Sequence, residues 1–512
     1  MTDLPITTAR EQFDKFDNKR NGILRRCEKY ARWTIPKLFP DSNRDQDTQS
    51  LAQDYQSLGA QATNHLANRL MMSLFQPSRS FFRLELTRKA VREMEKKGQK
   101  PNAIRELQTA FSLAETQASL ELDKRSIRSK LYDLLKMLIV LGNALLVFEK
   151  DTMRVLSLRN YVVKRRKDGK MCELIIREKV HKDQLKAAVI PLVQGNAAFK
   201  PDADGYVFQY TWVQLKENEK YESTSWVDDI KLPAQFSSSY SDKKLPYHAV
   251  TWDLASGDDY GTGLVEDFEG DFQALSMLSR ATVHAAILAS EFRWLVNPGG
   301  TTSVEDFNES ENGEALPGAQ GDIELIQSGV ENNLQTNLAI QKMYIERIGS
   351  GFMLLSTTVR DSERTTAYEV QKNAEELEGG LGGAYSRIAV DVQIPVAYWT
   401  MELIDKSIIG SDVEPVIITG LAALSRMGDR DRLLMFGNNL ASILQLQPQI
   451  LERLKLSAWI ADLASAEGLD PSTYVLTEEE YGQLKQAQQQ QALAMQNASQ
   501  QVDNANNPEV AQ

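Results

Sequence analysis

Only two of the 512 residues are cysteine, Cys27 and Cys172, and only four are histidine, His65, His181, His248 and His284. Two thiols cannot build a disulfide scaffold or a four-cysteine zinc site, and they suit a reducing compartment. Four scattered histidines without local ligand spacing leave little material for a metal centre. No HExxH, CxxC or GxSxG pattern occurs, and the phosphate-gripping loop GxxxxGK[ST] is absent as well. Gly261-Thr262-Gly263 lacks a third glycine at the right place, and the run Gly379, Gly380, Gly382, Gly383 lacks the lysine, so helix breaks are the better reading. No catalytic, cofactor-binding or metal-binding residue is assigned, and a chain that is not an enzyme and holds no cofactor is expected. Catalytic groups converging from distant positions remain the alternative.

Long apolar runs are missing too. The longest, Leu131–Phe148, is interrupted by Asp133, Lys136 and Asn143, and its clean stretch Met137–Leu141 falls far short of the ~20 residues a spanning helix needs. The opening MTDLPITTAR has neither a basic nor an apolar leader region. A soluble chain made in the cytoplasm is expected. At ~150 residues per domain the length suggests roughly three units. Lys plus Arg number 58 and Asp plus Glu 70, a net charge of −12, which argues against a protein that coats nucleic acid. It does not exclude one past which nucleic acid slides.

What is present reads as a mainly helical α+β chain. Residues 8–33 are helical, and Pro36 and Pro40 break the chain after them. Leu58, Ala62, Leu66, Leu70 and Leu74 place an apolar stripe on a helix over 53–75. A strand around 81–86 and a helix over 101–125 follow. Residues 126–260 are mixed: an apolar helix over 128–141 reaching Gly142, a buried strand ALLVFEK, and a hairpin turning at Asp168-Gly169. Helical spacing returns from Leu264 to Glu291 and again over 333–354. Between the two lies a Gly-, Pro- and Asn-rich insertion with IELIQ as a strand, so the whole reads as a rod with a tip. Thr366 and Glu369 form a capping-box signature. From Pro415 the chain reads as mainly helical. Nine glutamines between Gln483 and Gln501 mark a low-complexity end, expected to be disordered.

Two charge patterns stand out. Lys164, Arg165, Arg166, Lys167 and Lys170 crowd the hairpin turn, as a solvated tip or a contact for an acidic partner. From Trp294 to Gln341 there is no Lys or Arg, but there are eight acids: Glu305, Asp306, Glu309, Glu311, Glu314, Asp322, Glu324 and Glu331. Such a segment repels phosphate if it lines a passage for DNA, and aids solubility if it is only a loop. The acidic pairs Asp228-Asp229 and Asp258-Asp259 read as solvated turns before metal sites.

Four blocks in order carry a resemblance. They are TIPKLFP with YQSLGAQATNHLANRLMMSLFQPSRSFFRL; LLKMLIVLGNALLVF with LRNYVV; YGTGLVEDFEGDFQALSMLSRA with LVNPGG; and ERTTAYEVQKNAEELEGGLGGAYSRIAVDVQIPV. In sequence, order and rough spacing the chain resembles the head-to-tail connector (portal) proteins of short-tailed phages, podoviruses of autographivirus type. The likeness covers nearly the whole chain and thins in the Gln-rich end.

The resemblance implies a portal fold with a wing, a long-helix stem, a clip and a helical crown. It implies a wing over 1–263, a first stem helix over 264–291, a clip over 292–332 and a second stem helix over 333–354. A tunnel loop over 355–366, a tunnel helix and wing return over 367–415, a crown over 416–483 and a disordered tail over 484–512 complete it. The implied partners are further copies of the chain in a ring of twelve, double-stranded DNA passing without sequence specificity, and the terminase large subunit. Tail adaptor and tail tube proteins, the major capsid and scaffolding proteins, and internal core proteins at the crown are implied as well. The implied location is the virion's head-tail junction at one capsid vertex. Arg360 and Arg364 become candidates for DNA-facing contacts in the tunnel loop. Glu305, Asp306, Glu309, Glu311, Glu314, Asp322 and Glu324 become the acidic wall of clip or channel. A dispersed-site DNA-processing hydrolase and an oligomeric scaffold without DNA passage are the competing readings.

Overall fold

The computed structural model describes residues 8–40, 54–75, 80–87, 101–290, 293–311, 313–326, 331–354, 376–377, 379–404 and 413–417, with a few single positions elsewhere. These fall into two compact units, residues 1–78 with 120–403 and residues 79–119 with 404–512, so segment 79–119 groups with the C-terminal part rather than with the rest of 1–263. Helices outnumber strands in length, and the class is mixed α+β, mainly helical. Among the described residues no helix is long and apolar enough to cross a membrane.

The first unit opens with α1 (Ala9–Lys19), started by Thr8, whose Oγ1 accepts the Glu11 N–H at 3.2 Å. The single helix expected over 8–33 is two, because the chain turns at Arg20 before α2 (Asn21–Trp33). The Arg20 guanidinium is buried and donates to the carbonyls of Leu158 and Tyr161 and to Asp17. On α3 (Leu58–Leu74) the stripe Ala62, Leu66, Leu70, Leu74 is fully buried and packs against the later helix over 127–141. Each such leucine contributes ~1.5–3 kcal/mol by leaving water.

In the second unit β1 (Phe82–Leu86) pairs antiparallel with a strand over 413–417, and α4 (Pro101–Lys124) starts in this unit. In the first unit again, α5 (Ile127–Leu141) ends at Gly142 and runs into β2 (Asn143–Phe148), buried at every residue as expected of ALLVF, while Glu149 and Lys150 of the expected strand ALLVFEK lie beyond its end and are exposed. With β3 (Met153–Leu156) and β10 (Tyr247–Thr251) it forms a three-stranded sheet in the order β10-β2-β3. Between them lies a larger antiparallel sheet. Its order is β4 (Tyr161–Arg165), β5 (Met171–His181), β6 (Tyr206–Leu215), β7 (Tyr221–Val227), β8 (Ile230–Lys231), with β9 (Ser238–Tyr240) also on β7. The β4–β5 turn uses Gly169 at φ +83 while Asp168 accepts the Lys170 N–H at 3.0 Å. Ala9 and Phe13 of α1 close over Val162, Ile175, Tyr210 and Trp226, and a second cluster gathers Val189 and, from the short α6 (Ile190–Val193) that follows it, Val193 with Val207 and Val227.

From Gly263 the chain enters α7 (Leu264–Asp267), steps at Phe268, and continues as α8 (Glu269–Ser290). The tip carries β11 (Arg293–Val296), α9 (Val304–Glu309) and β12 (Ile323–Ile326), with β11 and β12 paired antiparallel; α10 (Glu331–Gly351) returns. The break at GGLGGAYS narrows to Gly382, after which come α11 (Gly383–Ile388), a π turn over Ala389–Gln393 and α12 (Ile394–Ile404). Pro395 explains the π turn: it has no N–H for the Asp391 carbonyl and its ring crowds that carbonyl.

The strand over 413–417, β13 (Val413–Ile417), corrects the helical reading from Pro415 onward, and the expected boundary at 415/416 passes through it. Its partner lies over 300 positions away, with Phe82 opposite Ile417, so no local pattern could reveal it. The capping box Thr366–Glu369 and the whole tail 484–512, apart from single positions, lie outside the described residues, as does most of 416–483.

Candidate channel rod and docking tip

The rod is built by α8 and α10 running antiparallel. Arg347 pairs with Asp271 at 3.0 Å, and Gln341 donates to the Thr282 hydroxyl at 2.5 Å. At its root the rings of Phe268 and Phe272 pack on Phe352, 5.6 and 5.8 Å between centroids. Gly351 is required there, since a Cβ would sit 2.1 Å from the Phe268 ring. At 1.5 Å per residue each helix reaches about 30 Å.

Away from the root the rod carries apolar side chains on water. Met277 is 66% exposed, Ile287 52%, Leu338 50% and Met343 46%. Taking about 100° per residue, Met277 lies on the side of α8 opposite α10, and Val283 and Ile287 lie on a flank. On α10, Leu338 and Ile345 lie on one flank of the seam and Ile340 and Met343 on the other. A lone exposed apolar residue needs no explanation, but two faces of one rod mark surfaces that association would cover.

At the tip, Ser303 caps α9 by accepting the N–H groups of Glu305 and Asp306 at 3.2 and 3.5 Å, and those acids complement the helix start. Glu305, Asp306, Glu309, Glu311, Glu314 and Glu324 are all exposed. Asp322 is set apart from them. It is 6% exposed and turned inward. Its Oδ2 accepts from the N–H groups of Ala319, Thr301 and Thr302 and from the Thr301 hydroxyl, at 2.9 to 3.3 Å. These donors, the Ala319 N–H first, hold its carboxyl down at about 2, below the ordinary 3.8.

Arg360 and Arg364 lie outside the described residues, as does the expected tunnel loop 355–366. One side chain touches a described residue on each side of positions 355–375. Arg69 of α3, 8% exposed, donates to the Met353 carbonyl at 3.3 Å and pairs with the Glu376 carboxylate at 2.8 Å. Met353 ends the rod in the left-handed region at φ +56. Neighbouring His65 is pushed to lower pKa by burial and then by the Arg69 charge. Sequence reasoning did not single out Arg69; the available signal was a cation inside the apolar run LANRLMM.

The basic hairpin turn is largely neutralised from within. Arg165 is turned inward, donating to the carbonyls of Ala249, Gly169 and Asp259 at 2.7 to 3.2 Å, and burial lowers its pKa. Arg166 pairs with Asp168 and Glu219, and Lys170 with Glu219 at 2.8 Å. Three of the four acids in the acidic pairs have partners within the fold: Asp228 accepts the Phe208 N–H at 3.0 Å, Asp229 faces Arg10 at 3.7 Å, and Asp259 accepts the Arg165 N–H at 2.7 Å. Among the described residues no group of three or more His, Cys, Asp or Glu could hold a metal ion.

Residues 7–475 match the family model described as bacteriophage head to tail connecting protein. The chain is 34% identical over 492 residues to the portal protein of Enterobacteria phage SP6, covering 95% of this chain and 92% of that one. It is 30% identical over 515 residues to the portal protein of Enterobacteria phage T3, covering 97% and 92%. Among solved structures, a chain in the virion of a native gene transfer agent particle matches with a TM-score of 0.35 at 11% identity, covering 74% of this chain and 85% of that one.

Proposed function

This chain belongs to the bacteriophage head to tail connecting protein family, and from that membership we propose how its rod and tip work. It acts as a portal, a structural connector between phage head and tail and not an enzyme. These relatives do not favour the dispersed-site hydrolase or the scaffold without DNA passage.

Its copies close into a ring of about twelve by heterologous contacts, each copy using two different faces. The observation that carries this is the exposed apolar faces of the rod, Met277 and Ile287 on α8 and, on the two flanks of α10, Leu338 with Ile345 and Ile340 with Met343. Neighbouring copies cover these faces. The rods then form the stem around a channel for double-stranded DNA, read without sequence specificity. The tip, free of cations from Trp294 to Gln341, serves as the clip. It docks the terminase large subunit during packaging and the tail adaptor and tail tube proteins afterwards. Residues 1–263 serve as wing toward the major capsid and scaffolding proteins. Residues 416–483 serve as crown toward internal core proteins. Arg360 and Arg364 face the DNA. The chain is made in the host cytoplasm and resides at the virion's head-tail junction.

The test is mass photometry with negative-stain imaging of the full chain. The parent protein is expected as a ring of about twelve with a central hole. Met277→Asp with Leu338→Asp is expected to leave smaller species, because each change buries an unpaired charge at the interface. A double variant that still closes the ring overturns the rod assignment. Arg360→Gln with Arg364→Gln is expected to assemble normally and retain packaged DNA poorly; loss of the ring itself refutes their DNA-facing role.

A further inference from the structure

We propose that Asp322 is the positioning residue of the tip: its ionised carboxylate fills a nest of N–H and hydroxyl donors and so fixes the surface presented to the docking partner. This rests on the reading of the tip as the docking end.

The geometry joins three pieces of the tip through one residue. Oδ2 meets the Thr301 N–H and hydroxyl at 2.9 Å, the Thr302 N–H at 3.3 Å and the Ala319 N–H at 3.0 Å. The Thr302 hydroxyl lies 3.2 Å from both Oδ2 and the Pro317 carbonyl and shares its single proton between them. The main chain of Asp322 adds a third tie, its carbonyl accepting the Asn297 N–H at 2.8 Å. Donors alone converge on Oδ2, which suits a full negative charge better than a neutral acceptor. No Lys or Arg between Trp294 and Gln341 can take their place. Two glycines make the room: a Cβ on Gly300 would lie 2.4 Å from Asp322 Oδ1, and one on Gly318 would lie 2.4 Å from the Thr302 hydroxyl.

What the nest positions is what a partner would meet. Thr302 directly precedes Ser303, the cap of α9, so the nest sets where that helix starts. α9 carries Val304, 54% exposed, and the exposed acids Glu305 and Asp306, and its Phe307 packs edge-on against Trp294 at 5.4 Å. Trp294 and Leu295 are themselves 50% and 53% exposed. Exposed aromatic and aliphatic groups ringed by acids fit a partner with a basic rim and an apolar pocket.

The experiment uses the full chain in four forms: parent, Asp322→Asn, Asp322→Glu and Gly300→Ala. Asn keeps one acceptor oxygen for the donors but removes the charge. Glu overruns a site with no space beyond the carboxylate. Gly300→Ala pushes on Oδ1, and so on the whole carboxylate, without touching the charge. Ring closure is read by mass photometry, amide exchange over 297–309 and 317–322 by mass spectrometry, and affinity for the purified terminase large subunit of the same phage by biolayer interferometry. All three variants are expected to close rings, to exchange the tip amides about tenfold faster and to bind terminase about tenfold more weakly. The parent is expected to keep its tip protection from pH 7 down to about 4 and to lose it progressively from there toward about 2, whereas Asp322→Asn stays about tenfold less protected throughout. If Asp322→Asn fails to fold, Thr301→Val, which removes one donor, is expected to give a smaller change of the same kind. Unchanged tip exchange, or faster exchange with unchanged affinity, overturns the proposal. Failure of the parent itself to bind terminase defeats the docking reading, and with it the functional half of this one, while the exchange data still decide whether Asp322 builds the nest.

Discussion

Replacing Gly142 by alanine tests how the rod is fastened to the β domain. Gly142 ends α5 at φ +71, where a side chain costs ~1–2 kcal/mol. A Cβ there would lie 2.3 Å from the Thr262 carbonyl carbon, 2.5 Å from the Gly263 nitrogen and 2.7 Å from the Thr262 oxygen. All three are backbone atoms, so the 261–263 segment must move. That segment is held by buried Asn143, which donates to the Gly261 carbonyl at 2.6 Å and accepts the Gly261 N–H at 2.8 Å. Two such bonds strained or lost add ~1 kcal/mol each, for a total of about 3–4 kcal/mol. Two further glycines separate the contributions. Gly195 has φ +89 and nothing within 4 Å, so Gly195→Ala is expected to lose only the conformational ~1–2 kcal/mol. Gly22 lies in α2 with open space, so Gly22→Ala is expected to stabilise by about 0.5–1 kcal/mol. Urea midpoints by tryptophan fluorescence rank the three. Because Gly263 leads directly into α7 and the rod, ring closure by Gly142→Ala is expected to fall as well. A midpoint loss for Gly142→Ala no larger than that for Gly195→Ala refutes the backbone-clash argument.

Arg69→Met keeps the volume but leaves the Met353 carbonyl and Glu376 without their guanidinium; with Glu376 34% exposed, the loss is expected at the low end of the buried-pair range, about 2–3 kcal/mol, read as faster amide exchange over 348–354. Unchanged exchange there would show that Arg69 does not hold the rod's end. His248 is held neutral by burial, its pKa lowered from 6.5 to about 4 although its ring bonds the Leu245 carbonyl at 2.7 Å. A lowered histidine leaves the unfolded chain binding more protons, so this stability is complete above pH 6.5 and drains as pH falls toward 4. Relative to His248→Asn, the parent is expected to lose about 3 kcal/mol across that window, and parallel stability curves would remove His248 from the account.

Much of the fold was legible because local pattern and tertiary role agree. The stripe Leu58 to Leu74 spaced by four became the buried face of α3, and the unbroken apolar run after Gly142 became a strand buried at every position. The rod and its tip were visible as two helical periods flanking a segment rich in Gly, Pro and Asn. Two sequence blocks that looked separate, LGNALLVF and YGTGLVEDF, prove to be one junction: Gly142 and Gly263 each occupy the space the other's side chain would need. The misses have the opposite cause. β13 depends on a strand over 300 positions away, and the break between α1 and α2 depends on carbonyls at Leu158 and Tyr161 that only the folded chain brings to Arg20.

The functional surface was harder to read because composition reports charge without direction. Eight acids between Trp294 and Gln341 look alike in sequence, yet six of those in the tip face water and Asp322 alone faces in. The same holds for cations: Arg165 in a basic run and Arg69 in an apolar one are both turned onto backbone carbonyls. A charge enters the interior only where donors or acceptors of the chain itself replace its water, since an unpaired buried charge is too unfavourable to persist. Asp322 meets that condition because Gly300 and Gly318 flank it with space and Thr301 and Thr302 with donors. An acid set among glycines and hydroxyl residues, far from any cation, is therefore the pattern that separates a carboxylate building the tip from the carboxylates displayed on it.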